Sequence, residues 1–252
     1  MRSETRVETG SVGVVVRPPN PTETVVLYLP GDRRLSGALE PAPGLAERLA
    51  LHAGAVVVAP RHRTAFPAAL EDVHSAYDYC RTQGPVAVVG ERQGAGLAAA
   101  LLLRLRDLGE PPPQCGVLVS ALLDLTMQAP SLQLNATADP TFDVAELGRW
   151  AERYAAGTAP TNPLLSPLLA NLHGLPPVQL LVAGTDPLLD DSVEFANRAA
   201  RSGVTVDLHV RPDAASLRAE ALAAMAAFIR TWGVRSAGVR SGTPAVRTSH
   251  PA

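Results

Sequence analysis

The sequence predicts an α/β fold with a mostly parallel, doubly wound sheet, and three observations predict it. Short β-branched runs bounded by Pro and Gly recur along the chain, as in Thr24-Val-Val-Leu-Tyr-Leu29. Amphipathic helical stretches alternate with them, the signature of strand–helix–strand crossovers. Gly54-Ala-Val-Val-Val-Ala-Pro60 is apolar throughout, as a strand covered on both faces must be. A chain of 252 residues can bury one large core. One domain is therefore expected over residues 1–233, with a cap or insertion at about 127–175 and an aperiodic, disordered tail at 234–252.

The elements follow in order. Residues 11–17 and 24–29 read as strands, 44–51 as a helix and 54–60 as a strand. In 68–82, Leu70, Val73, Ala76, Tyr77 and Cys80 form one helical stripe. Strand 85–90 leads into helix 94–107, and 117–120 is the next strand. Residues 142–156 are an amphipathic helix placed in the cap. Strand 178–183, helix 192–202, strand 205–210 and the closing helix 217–232 complete the pattern.

Charge and composition bound the partners. The 24 acidic residues nearly balance 22 basic ones, all of them arginine, so no electrostatic case for a nucleic-acid partner exists. Cys80 and Cys115 form neither a disulfide framework nor a metal spacing and are expected to be packed thiols. No His/Asp/Glu cluster with metal-ligand spacing is evident, and no metal or cofactor is expected. Apolar runs are too short for a membrane helix and no signal peptide is visible, which makes the expected setting cytoplasmic. The expected partner is a small-molecule ligand or substrate; a homo-oligomer or protein partner stays open.

The segment Pro85-Val-Ala-Val-Val-Gly-Glu-Arg-Gln-Gly-Ala-Gly96 carries the main functional signal. It has the layout of a nucleophile elbow, a strained strand-to-helix turn that projects a serine between two glycines. Gly90 and Gly94 stand in place, but the centre is Arg92. A guanidinium stays protonated and cannot attack a carbonyl.

Several further strings extend the pattern: Phe66-Pro-Ala-Ala-Leu-Glu-Asp72, Ser120-Ala-Leu-Leu-Asp-Leu-Thr126, Asn162-Pro-Leu-Leu-Ser-Pro-Leu168 and Gly184-Thr-Asp-Pro-Leu-Leu-Asp-Asp191. With Gly174-Leu-Pro-Pro177 and the helix from Gly94 to Asp107, they resemble, over roughly 11–232, the hormone-sensitive-lipase branch of α/β-hydrolase esterases. The resemblance implies a triad and an oxyanion loop. It puts the nucleophile on Arg92, the acid on Asp186, the histidine near Ser216 and the oxyanion loop on Pro30-Gly31-Asp32-Arg33. It also implies that the N-terminal cap is largely missing.

Three of the four stations are changed, and losing a triad member costs roughly 10⁴–10⁶ in kcat. The leading expectation is thus a protein that has lost serine hydrolase chemistry, and is not a Ser-His-Asp enzyme. It would instead serve a non-hydrolytic elimination, dehydration or cyclisation on a small organic substrate in specialised metabolism. One alternative is a non-catalytic pseudo-hydrolase that binds a ligand or protein as an accessory subunit. Another is a residual carboxylic-ester hydrolase with an atypical nucleophile. Candidate pocket residues are Gly31, Asp32, Arg33, Glu91, Gln93 and His62, with Arg92, Asp186 and Ser216 at the catalytic stations. Arg92 is read either as a pocket filler or as an anion site at a helix N-terminus. Ser120, at a strand end, is expected to serve packing, and Ser36 has no histidine near it in sequence.

Overall fold

The structure is a computed structural model and describes residues 5–31, 43–138 and 142–233. The expected tail at 234–252, and Asp32, Arg33 and Ser36, lie outside the described residues. Among the described residues, eight strands form one sheet: β1 (Arg6–Gly10), β2 (Gly13–Arg17), β3 (Val25–Leu29), β4 (Val56–Pro60), β5 (Val86–Glu91), β6 (Cys115–Val119), β7 (Val178–Ala183) and β8 (Val206–Arg211). Their order is β1-β2-β4-β3-β5-β6-β7-β8. β1–β2 and β2–β4 pair antiparallel, and every later neighbour pair is parallel. The mostly parallel sheet is as the sequence predicts. Strand β1 was not anticipated, because Arg6-Val-Glu-Thr-Gly10 is mostly exposed and lacks an apolar face to read.

Alternate side chains of the central strands enter two separate cores. Leu27, Val58, Val88, Leu118 and Leu180 pack with α2 (Ala68–Arg81), α3 (Gln93–Asp107) and α6 (Leu189–Arg201). Their neighbours Val26, Val57, Val89, Val117 and Leu181 pack on the other face with α1 (Pro43–Ala53) and α7 (Ala214–Gly233). A period-two strand with helices on both sides must be apolar at every position, hence the unbroken runs in the sequence.

A third cluster forms a cap beyond the strand ends. Leu122, Leu125, Leu132, Leu147, Leu165 and Leu188 are buried together, joining α4 (Ser131–Leu134) and α5 (Val144–Ala155) to the body. Helix α5 starts where Asp143 accepts bonds from the Ala145 and Glu146 amides. It ends at Ala156, which takes the left-handed conformation (φ 50°, ψ 41°). Trp150 and Tyr154, one turn apart, stack at 5.0 Å between centroids. No helix among the described residues is long and apolar enough to cross a membrane.

Candidate active site

The turn between β5 and α3 has the geometry of an elbow although its tip is arginine. Arg92 sits at φ 50°, ψ −114°, a conformation costly for a side chain of this size. It is locked by backbone bonds: its amide donates to Val119 O at 2.9 Å, and its carbonyl accepts from Leu122 N at 3.1 Å. The flanking glycines are required by space. A Cβ on Gly90 would meet Gly94 O at 2.4 Å, and one on Gly94 would meet Leu29 O at 2.2 Å. The Arg92 guanidinium lies 5.8 Å from the Phe142 ring centroid, tying the elbow to the cap.

Asp186 has a defined partner. Ser120 Oγ donates to Asp186 Oδ2 at 2.6 Å, and both residues are buried. The other oxygen, Oδ1, accepts from Leu188 N at 2.9 Å, while Asn135 Nδ2 donates to the Asp186 carbonyl at 3.0 Å. Ser120 follows β6 with φ 46°, an uncommon value for a residue with a Cβ. The expectation that Ser120 serves only packing is thus too narrow. Ser120 lines a cavity and its hydroxyl is bonded to Asp186.

That cavity, about 500 Å³, opens at the carboxyl ends of β5 and β6, where ligands bind in open α/β sheets. Of the sequence candidates, it brings together Gly31, Glu91, Arg92 and Asp186, with Ser120 beside them. Glu91 accepts from Tyr28 OH at 3.0 Å. Burial, then the charge and bond of Glu91, raise the Tyr28 phenol far above its usual range, so it stays a donor. Gln93 instead faces a narrow cleft under the cap with Trp150 and Tyr154.

Two further candidates also fall outside the cavity. Ser216 lies in the first turn of α7, where its amide donates to Asp213 Oδ1 at 2.8 Å; its neighbours Ala214 and Leu217 line the cavity, and it does not. His62 is half-buried, its Nδ1 lies 2.7 Å from Arg63 O, and it is not part of the cavity wall. Sequence reasoning missed the opposite wall: Arg48 and Leu45 of α1, and Leu217, Arg218, Leu222 and Met225 of α7. The signal was present as i, i+3 and i+4 spacings, but such stripes ordinarily mean core.

Two supporting features also escaped the sequence. Asp191 accepts from the amides of Leu123 (2.7 Å) and Asp124 (3.0 Å), fixing the chain just after Ser120. Burial lifts its carboxyl to about 7, against the downward pull of those two amides. The expectation of no metal-spaced cluster is corrected as well. His74 and Asp78, one turn apart on α2, meet Glu110 with ligand atoms within 4.8 Å of one another.

Comparison with known proteins places these features in context. The α/β-hydrolase fold family matches residues 26–215. The chain is 36% identical over 206 residues to an acetyl-hydrolase of Streptomyces hygroscopicus, covering 79% of this chain and 69% of that one. It is 34% identical over 202 residues to esterase LipI of Mycobacterium tuberculosis, covering 73% and 62%. An esterase of the bacterial hormone-sensitive lipase family superposes with a TM-score of 0.84 at 31% identity, over 92% of this chain and 86% of that one.

These relatives correct the leading expectation from sequence. Proteins this similar are named as ester hydrolases, which overturns the reading of lost serine hydrolase chemistry and of a lyase or cyclase in its place. That reading rested on three changed stations and took Ser120 for a packing residue. Ser120, whose hydroxyl is bonded to Asp186, lines the cavity.

Proposed function

The chain belongs to the α/β-hydrolase fold family, and on that premise we propose that it is a carboxylic-ester hydrolase whose nucleophile is Ser120. The observation that carries the proposal is the 2.6 Å hydrogen bond from Ser120 Oγ to Asp186 Oδ2 inside the cavity. The names of the relatives supply the reaction class.

In this reading Ser120 Oγ attacks the ester carbonyl carbon while its proton passes to Asp186 Oδ2. The tetrahedral oxyanion develops near the N-terminal end of α3 and the Arg92 guanidinium, both sources of positive potential. Collapse breaks the bond to the leaving alkoxide, which takes the proton back from Asp186. Water then cleaves the acyl-serine by the same two proton transfers. A carboxylate is a weaker base than imidazole near neutral pH, so turnover should be slow for the fold.

The test is hydrolysis of 4-nitrophenyl acetate by the purified chain and by Ser120→Ala. A loss of about 100-fold or more in the variant supports the proposal. Unchanged turnover in Ser120→Ala, or none in the intact protein, overturns it.

A further inference from the structure

We propose that the substrate is an acidic ester, one whose acyl chain ends in a carboxylate that Arg48 and Arg218 recognise. The proposal rests on the ester-hydrolase reading of the same cavity and concerns its far wall. Among the described residues, three guanidinium groups line the cavity (Arg48, Arg92 and Arg218) against two carboxylates, Glu91 and Asp186. Both carboxylates are engaged: Glu91 accepts from Tyr28 OH, and Asp186 accepts from Ser120 Oγ and Leu188 N.

The two outer arginines are different. Arg48 on α1 and Arg218 on α7 are exposed, and neither has an ion-pair partner among the described residues. Asp213, just before α7, feels the Arg218 charge, but its Oδ1 accepts from the Ser216 amide. By contrast Arg211, close by in sequence, is held by Glu220 at 2.8 Å. Two unengaged guanidiniums from adjacent helices facing one cavity suit the planar, two-oxygen geometry of a carboxylate.

The rest of the α1 and α7 wall is apolar. Leu45, Leu217, Ala221, Leu222 and Met225 supply a surface for methylene groups. An acyl chain with its ester end at Ser120 and its acid end at the rim therefore meets matching chemistry along its length. A neutral acyl chain would leave both guanidiniums without a counter-charge among the described residues.

The experiment compares the mono-4-nitrophenyl ester of glutaric acid with neutral 4-nitrophenyl butyrate at low salt. The intact protein should prefer the acidic ester in kcat/KM. Arg48→Ala/Arg218→Ala should lose about five- to tenfold on that ester and stay unchanged on the neutral one, since exposed ion pairs have about this worth. Equal losses on both esters would overturn the proposal. A second arm does not depend on turnover: free glutarate should raise the melting temperature of the intact chain and not of the double variant. An equal shift in both, or none in either, also overturns it. Absence of hydrolysis with glutarate stabilisation intact would remove the ester-hydrolase reading alone and leave carboxylate recognition standing.

Discussion

Ser120 Oγ and Asp186 Oδ2 stand 2.6 Å apart across the ends of β6 and β7, although 66 residues separate them in sequence. The same carboxylate caps Leu188 N, so one side chain joins the proposed chemistry to the start of the segment leading into α6. Replacing it separates these roles. Asp186→Ala leaves a buried hydroxyl and an amide without their partner and should cost about 2–4 kcal/mol in denaturant unfolding. Asp186→Asn can still accept from Leu188 N and can donate its NH2 to Ser120 Oγ, so it should hold most of the stability, yet lose roughly 10³ in kcat/KM because an amide is no base.

Asp191 predicts a pH dependence of stability. Its carboxyl is raised to about 7 by burial, whereas an unfolded aspartate titrates near ~3.9. From about pH 4 to pH 7 the folded chain holds a proton that the unfolded chain has released. Stability therefore falls as pH rises through that window, by at most ~1.4 kcal/mol per unit, and levels off above it. Asp72 and Asp207 have lowered carboxyls whose contribution is lost only on further acidification. Asp191→Asn should flatten the slope measured by urea unfolding between pH 5 and 7.5.

Gly94 is fixed by its neighbours' backbone. An alanine Cβ there would lie 2.2 Å from Leu29 O and 2.6 Å from Pro30 O, atoms that cannot rotate away. Gly94→Ala should cost about 3 kcal/mol or more, read as a fall in the thermal midpoint or loss of soluble protein.

Ala156 offers a change in the other direction. It closes α5 in the left-handed region at φ 50°, on the surface, where a Cβ is a burden. Ala156→Gly should stabilise the chain by about 0.5–1 kcal/mol in the same unfolding assay, with no change in ester turnover.

How much of this was legible in the sequence differs between scaffold and site. Apolar runs such as 54–60 and 85–90 announce strands because both faces of the sheet are covered. The elbow announces itself because Gly90 and Gly94 are demanded by backbone contact, whatever stands at position 92. The Ser120–Asp186 bond was not legible. It depends on two parallel strands ending side by side, a relation of register rather than spacing. The wall formed by α1 and α7 escaped for a similar reason: Leu217, Leu222 and Met225 look like core until the helix is placed at a cavity. The reading of lost chemistry rested on Arg92, Ser216 and the oxyanion loop together, and it passed over Ser120 as a packing residue.

Cys80 and Cys115 lie inside the two cores, and burial pushes both thiols up to about 12. At neutral pH neither carries useful thiolate, and maleimide or iodoacetamide dyes should pass both by. The chain thus has a silent background for labelling. A single cysteine introduced at the outward-facing Leu134 would be the sole address for a fluorophore, giving a direct optical report on the region beside Asn135 as an ester enters.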